Sequence, residues 1–522
     1  MATQLCWVIR AQTCPRSVEA SPWLASTHTL RWRHILSVRI PEGGEDLMSM
    51  TATRSIADLP GPRGLPLLGN ALQLARASRI HLTSEGWARR YGPIVRVKVG
   101  RRRIVGISDG DAINAILRDR PEGFRRWAEQ EAVFDEMGFS GVFSVEGEQW
   151  KRQRRLVVTA LNSNHLNRYF HVVRTSTERL HRRLAEAARA GRVLDIQEEL
   201  TSYSVDITSA LAFGHDLNTL ERGESELQGH IQRAFGMLAR RIAAPVPYWR
   251  WVRLPADRAL DRSLAELHNA VGEFIAQARE RIAARPELLA APENFLEGMI
   301  AAQQTDDTFT DEEIVGNTLT ILFAGEDTTA HTLGWTVWLL GSRAEVQARL
   351  AAEASEILGG AGGDLFPTEY ETVARFDYGE AVLRESMRIK SVATMAPIEP
   401  LKDTTICDTH IPAGTRLLLL LRLAALGERA DAFEPERWLD QDNSDPKSLT
   451  FGAGPRFCPG RNLAMLEAKT ALAMLARNFE IELDQSGVPV SEYFNFTMIP
   501  KGLRVRLRER VAEKPAAVGA AH

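Results

Sequence analysis

The chain has 522 residues and four cysteines, Cys6, Cys14, Cys407 and Cys458. One of them stands where a sulfur can be aimed. Cys458 lies in Phe451-Gly452-Ala453-Gly454-Pro455-Arg456-Phe457-Cys458-Pro459-Gly460. Glycines and prolines at this density exclude a regular helix or strand, so the backbone must form a tight loop that fixes the direction of the side chain. The apolar spacing from Arg461 to Phe479 predicts a helix starting directly after Gly460. A cysteine at a helix N-terminus meets free backbone N–H groups and the positive end of the helix dipole, which favour thiolate.

A thiolate held rigidly and alone suits axial ligation of haem iron, where sulfur pushes electron density toward O–O cleavage. An iron–sulfur cluster or a four-cysteine zinc site needs several cysteines at short spacing, and that pattern is missing here. The loop resembles the haem-ligand signature of the cytochrome P-450 family. Phe451, Gly452, Gly454, Arg456, Cys458 and Gly460 fill its fixed places. The resemblance extends over residues 59 to 508 and implies a mainly α fold with a small β-sheet region in one large domain. It also implies haem b, iron protoporphyrin IX, as the cofactor, with Cys458 on the iron.

The second cluster of chemical residues lies upstream. Thr310-Asp311-Glu312-Glu313 reads as a capping box and opens a mostly apolar run to Leu340. One buried helix on the order of 45 Å long is expected, at about 1.5 Å per residue. Its middle carries Ala324-Gly325-Glu326-Asp327-Thr328-Thr329, where a core helix should be apolar. Buried charge is costly unless it is paired or used. Small residues before the acid would let a flat cofactor approach the backbone at Ala324, and a threonine hydroxyl can open helix hydrogen bonding. By resemblance this is the oxygen-activation motif, with Asp327 and Thr328 delivering protons.

Other roles rest on the resemblance alone. Trp150 and Arg154, one helical turn apart, match a pair that holds a haem propionate, and Arg456 is a further candidate. After the helix of Glu385 the family often carries a cation for the second propionate. Here the run is Met395-Ala396-Pro397-Ile398-Glu399-Pro400, which leaves that propionate to Arg456 or to another residue. Glu385, Arg388 and Arg437 match a structural acid–arginine–arginine triad. Phe139, Val142, Phe143, Ala324, Val392, Thr394, Met395 and Met498 are the candidate substrate-pocket residues. Their apolar character points to a hydrophobic organic substrate.

Composition and organisation set the frame. With 44% hydrophobic residues and a formal charge of −3, the chain can bury a large core and has no general attraction for nucleic acid or anionic lipid. Residues 1–47 contain five arginines and little acid; they read as a misassigned start or a transit-like extension. Residues 48–58 are a lead-in, 59–508 the catalytic domain and 509–522 a disordered tail. Leu59 to Asn70 is a proline-glycine segment that cannot be helical, Ile94–Gly100 and Arg103–Ile107 read as paired strands, and 165–290 as long amphipathic helices. Pro245–Trp249 breaks those helices. No run approaches the roughly 20 apolar residues of a membrane anchor.

The expected activity is insertion of one atom of O2 into the substrate. Electrons would come from an acidic ferredoxin or flavodoxin with its reductase, docking on Lys151, Arg152 and Arg155. A haem-thiolate isomerase or dehydratase and a non-catalytic haem sensor are the alternatives. A cytoplasmic monomer is expected, or a mitochondrial protein if residues 1–47 are a transit peptide.

Overall fold

The computed structural model describes residues 54–74, 77–161, 163–223, 225–244, 246–305, 309–427, 432–439 and 449–510. The N-terminal extension 1–47, the first part of the lead-in, Pro245 and residues 511–522 lie outside the described residues.

Helices dominate. In chain order they are α1 (Ile80–Tyr91), α2 (Gly110–Arg118), α3 (Ala128–Glu136), α4 (Gly147–Ala160), α5 (Ser163–Arg189), α6 (Ile196–Phe213), α7 (Thr219–Arg222) and α8 (Glu226–Ala243). They continue with α9 (Pro255–Ala284), α10 (Phe295–Thr305), α11 (Asp311–Leu340), α12 (Ala344–Ile357), α13 (Tyr370–Ala374), α14 (Asp377–Ile389), α15 (Leu421–Leu426) and α16 (Arg461–Asn478). The strands are β1 (Ile94–Val99), β2 (Arg102–Ile107), β3 (Phe124–Arg126), β4 (Val193–Asp195), β5 (Ala396–Pro400), β6 (Thr404–Ile406), β7 (Thr409–Ile411), β8 (Arg416–Leu419), β9 (Phe479–Leu483), β10 (Ser491–Asn495), β11 (Thr497–Lys501) and β12 (Arg504–Glu509). The largest sheet has the order β1-β2-β8-β5-β3, with β1 and β2 antiparallel as their alternation predicts.

α11 is the axis of the fold. Thr310 caps it as expected: its hydroxyl accepts from the Glu313 N–H while the Glu313 carboxylate accepts from the Thr310 N–H. Most of its 30 residues are buried, which a helix achieves only when other elements cover it all round. α6, α14, α16 and strand β11 do so. The helix runs unbroken through the Asp327-Thr328 step, so the expected opening of its hydrogen bonding does not occur. Thr328 Oγ1 donates to the Ala324 carbonyl at 2.7 Å and Thr332 Oγ1 to that of Thr328 at 2.8 Å. These side-chain bonds decorate the ladder without interrupting it.

Among the described residues no helix is long and apolar enough to cross a membrane.

Candidate active site

The cysteine loop closes on itself. The Cys458 N–H donates to the Phe451 carbonyl at 2.8 Å, and Gly452 and Gly454 take φ of +74° and +67°, a region costly for other residues. Gly454 is required for a second reason: a Cβ there would lie 2.5 Å from the Leu117 carbonyl oxygen at the end of α2. α16 begins at Arg461, as the sequence predicts. The helix end does not suffice to ionise the sulfur, however. Burial pushes the Cys458 thiol up, and the N–H groups of Gly460 and Arg461 and the charge of Arg154 offset this only in part. A bound cation is what would complete the deprotonation.

Next to the loop three buried arginines surround one acid. Arg120 Nη2 donates to Glu146 Oε1 at 3.0 Å, the backbone N–H of Arg126 donates to the same oxygen at 3.0 Å, and Arg456 pairs with Glu146 and reaches the Val145 carbonyl at 2.8 Å. The Arg456 guanidinium also lies 4.4 Å from the centre of the Trp150 ring. Burial, with repulsion among the arginines, lowers the Arg126 pKa to about 10 and that of Arg456 to about 9. The Nε atoms of Arg120, Arg126 and Arg456 are buried without a hydrogen-bond partner. Three cations against one carboxylate, with donors to spare, form a receptor for further carboxylates. Arg154 joins them, with Nη2 donating to the Phe457 carbonyl at 2.6 Å and the guanidinium 4.6 Å from that ring.

Cys458, Trp150, Arg120, Arg126, Arg154 and Arg456 all border one cavity of about 1550 Å³. That exceeds the roughly 300–1,000 Å³ of an ordinary small-molecule pocket, leaving room for a macrocycle and a substrate together. α11 borders the same cavity through Ala324, Gly325, Thr328 and Thr329. Gly325 has a packing role as well, since a Cβ there would meet Thr208 of α6 at 2.7 Å. Asp327 does not border the cavity. Burial raises its pKa to about 6, and its Oδ1 lies 3.9 Å from Nε2 of His331, one turn on.

Of the expected pocket residues, Val142, Phe143, Ala324, Val392 and Met395 border the cavity, whereas Phe139, Thr394 and Met498 do not. Phe139 sits one layer back, its ring 5.3 Å from that of Phe323. Met498 follows the cavity-lining Thr497 on β11, and alternation along a strand turns it away, with its sulfur 3.1 Å from Arg422 Nη1. Sequence reasoning missed the aromatic wall. Phe235 of α8 stacks on Phe323 of α11 with centroids 3.3 Å apart, and Phe496, at the tip of the β10–β11 hairpin with φ +68°, packs 5.4 Å from Phe323. Only Phe323, directly before Ala324, stood beside a recognised motif. Arg120 and Arg126 were missed too, because nothing in their spacing announces Glu146.

The triad assembles. Arg388 donates to Glu385 through Nε at 2.9 Å and Nη2 at 2.8 Å, Arg437 Nε pairs with it at 3.2 Å, and Trp438 Nε1 donates at 2.9 Å. The proposed basic docking cluster is altered. Arg152 turns inward to pair with Glu313, and Lys151 pairs with Glu122 and Glu148 at 3.0 and 2.8 Å, while Arg155 is exposed. Arg118 and Arg461, flanking the cysteine loop, are exposed as well.

A cysteine loop, a carboxylate receptor and an acid-threonine helix meet around one cavity, the arrangement a haem-thiolate enzyme requires, and the sequence comparisons show the family. The family model for cytochrome P-450 matches residues 59–507, and the chain belongs to that family. Mouse mitochondrial 25-hydroxyvitamin D-1 alpha hydroxylase is 27% identical over 480 residues, covering 87% of this chain and 92% of the relative. Cyclooctatin synthase of Streptomyces melanosporofaciens is 28% identical over 435 residues, covering 81% and 90%. The chloroplastic protein LUTEIN DEFICIENT 5 of Arabidopsis thaliana is 26% identical over 445 residues, covering 80% and 72%. The chain is therefore a haem-dependent monooxygenase that uses O2, an organic substrate and a redox partner.

Proposed function

We propose that the chain hydroxylates a hydrophobic organic substrate, with electrons supplied by a separate acidic ferredoxin or flavodoxin. The observation that carries the substrate class is the apolar lining of the cavity that Thr328 also borders, which includes Val142, Phe143, Phe235, Phe323, Met395 and Phe496. Such a lining excludes water from the reacting carbon. The mouse relative's name makes it a hydroxylase, and the same reaction class is assigned here.

In this reading Cys458 Sγ holds the iron, while Arg120, Arg126, Arg154, Arg456 and Trp150 hold the propionates. The bound haem supplies the activation of O2. Thr328 Oγ1, at the cavity surface, is the last proton donor, and Asp327 is the carboxyl that reprotonates it. The redox partner docks where Arg118, Lys151, Arg155 and Arg461 bring positive charge to the surface around the loop. Cysteines without a disulfide pattern favour a reducing, cytoplasmic compartment. The mitochondrial and chloroplastic relatives favour an organelle, with residues 1–47 as the transit segment.

The test is spectral titration of the haem-loaded protein against apolar compounds, followed by turnover under isotopically labelled O2. A ligand that shifts the Soret band and leaves as a product with one labelled oxygen supports the reading. A product formed without label or external electrons would establish an isomerase or dehydratase instead.

A further inference from the structure

Asp327 is an acid without a hydrogen-bonding partner in the described structure, and its side chain is one-fifth exposed. The group facing it is His331, whose imidazole is 4% exposed and is kept neutral by burial, which lowers its pKa to about 3. Four residues apart on α11, the two side chains lie on one face. The other ring nitrogen of His331, Nδ1, lies 3.0 Å from Thr497 Oγ1 on β11. Thr497 is buried and borders the cavity at the hairpin that carries Phe496. Thr497, His331 and Asp327 therefore form a line from the substrate wall to the carboxyl.

We infer that His331 is a positioning residue for Asp327, and that Thr497 sets which hydrogen His331 offers it. The inference rests on the reading that Asp327 feeds protons to Thr328. A neutral imidazole has one N–H and one lone pair. When the Thr497 hydroxyl donates to Nδ1, the N–H stands on Nε2 and faces the Asp327 carboxylate. When the hydroxyl accepts from Nδ1–H, the Nε2 lone pair faces Asp327 and suits the protonated acid. At 3.9 Å the contact closes through one water or a small side-chain rotation. A substrate that turns the Thr497 hydroxyl thus changes which form of Asp327 is held, tying proton supply to an occupied cavity. No net proton transfer through His331 is needed.

The charged groups on the elements packed against α11 are engaged elsewhere. Lys390, after α14, lies over the Trp335 and Trp338 rings at 4.9 Å, Arg422 is bound to Glu85 and Glu492, and Asp206 of α6 accepts from Thr219; the exception is Glu467 of α16, which borders the cavity with Oε2 unpartnered and which burial pushes toward its neutral form. Glu326 stands beside Asp327 on α11 itself. Burial is the cause of the shifts of Asp327 and His331.

The experiment compares His331→Phe, His331→Asn, Thr497→Val, Asp327→Asn and wild type, each haem-loaded with an intact carbon monoxide spectrum. Peroxide released per electron pair is one readout. The other is the pH titration of the Asp327 carboxyl band in infrared difference spectra, assigned by its loss in Asp327→Asn. His331→Phe should raise peroxide release severalfold and move the carboxyl midpoint upward by on the order of one pH unit, because the carboxylate loses its donor. His331→Asn should restore most of both effects, and Thr497→Val should reproduce a smaller part. An unmoved midpoint in His331→Phe overturns the inference, as does an Asn variant no better than Phe. Failure of the underlying reading is distinct: Asp327→Asn itself would then leave peroxide release unchanged. If His331→Phe does not hold haem, the midpoints in His331→Asn and Thr497→Val decide.

Discussion

Two carboxylates on helices that pack together, one fully enclosed and one partly so, meet opposite fates. Glu385 of α14 is fully enclosed, and burial alone would raise its pKa. The guanidinium of Arg388, the Glu434 N–H, the Trp438 indole and the pairing with Arg437 outweigh burial and hold it below the usual carboxylate range. Asp327 of α11 has only burial acting on it and rises to about 6. An acid whose oxygens are all claimed stays ionised and fixes the chain around it. An acid left alone near neutral pH can exchange a proton, the property that catalytic acids need.

The largest expected effect comes from breaking the enclosed acid. Glu385→Ala strands Arg388, which also donates to the Leu426 and Ala432 carbonyls, as an uncompensated buried cation. Such a loss typically costs about 3–5 kcal/mol. We expect little soluble haem-loaded protein and a strongly lowered denaturation midpoint. Asp327→Ala should not share that fate, and if the two variants were equally stable the contrast would collapse.

Glu146 sharpens the comparison, being an acid with more cations than it can satisfy. Removing one arginine should spare the fold but weaken the hold on an anionic cofactor. Hydrogen bonds to charged groups contribute roughly 1.5–3 kcal/mol each, so Arg126→Ala should lose haem on the order of tenfold to a hundredfold faster. Haem transfer to an excess of apo-globin measures this. A loss rate equal to wild type would remove Arg126 from the propionate receptor.

Asp327 has a signature in stability against pH. Its folded pKa lies above the unfolded value of 3.8. Between that value and about 6 the native protein keeps a proton that the unfolded chain has released, so stability from this residue falls as pH rises through the window. The full penalty, about 3 kcal/mol at about 1.4 kcal/mol per unit, applies above it. Asp327→Asn should therefore stabilise the protein more at about pH 8 than at about pH 4, read from denaturation midpoints. His331 slopes the other way, because its folded pKa lies below 6.5 and its penalty grows on acidification. An Asn variant whose gain does not change with pH would show that Asp327 is solvated.

Which of these features the sequence reveals follows from how local they are. The cysteine loop, the capping box and the acid-threonine step are contiguous, and each appears where its residues predict. The mainly α fold with small sheets follows from apolar periodicity together with the family resemblance. The arginine receptor is assembled from β3, α4 and two loops, and no single window holds enough of it to be recognised. Phe496 enters the wall through a hairpin tip, and Met498 leaves it through strand alternation; both depend on register, which residue type does not reveal. The sequence groups Arg152 with Lys151 and Arg155 as docking residues, and only the nearness of Glu313 of α11, 161 residues away, turns it inward.

Surface charge gives the smallest effect and completes the series, because an exposed ion has neither an enclosed partner nor a burial penalty. Lys151 is paired only with exposed Glu122 and Glu148, and pairs of that kind contribute little to stability. Their importance is in encounter: opposite charges steer a partner toward the loop, and salt screens this over about 10 Å at 0.1 M. Lys151→Glu with Arg155→Glu should slow reduction by an acidic ferredoxin severalfold at low ionic strength, converge with wild type at high ionic strength, and leave both the carbon monoxide spectrum and the denaturation midpoint unchanged. Arg152→Glu is the internal contrast. It places a second acid beside Glu313 and should lower the denaturation midpoint through the cap of α11, whatever the salt. Stopped-flow reduction across a salt series separates the two, and a double variant reduced as fast as wild type at low salt would move the docking face away from the cysteine loop.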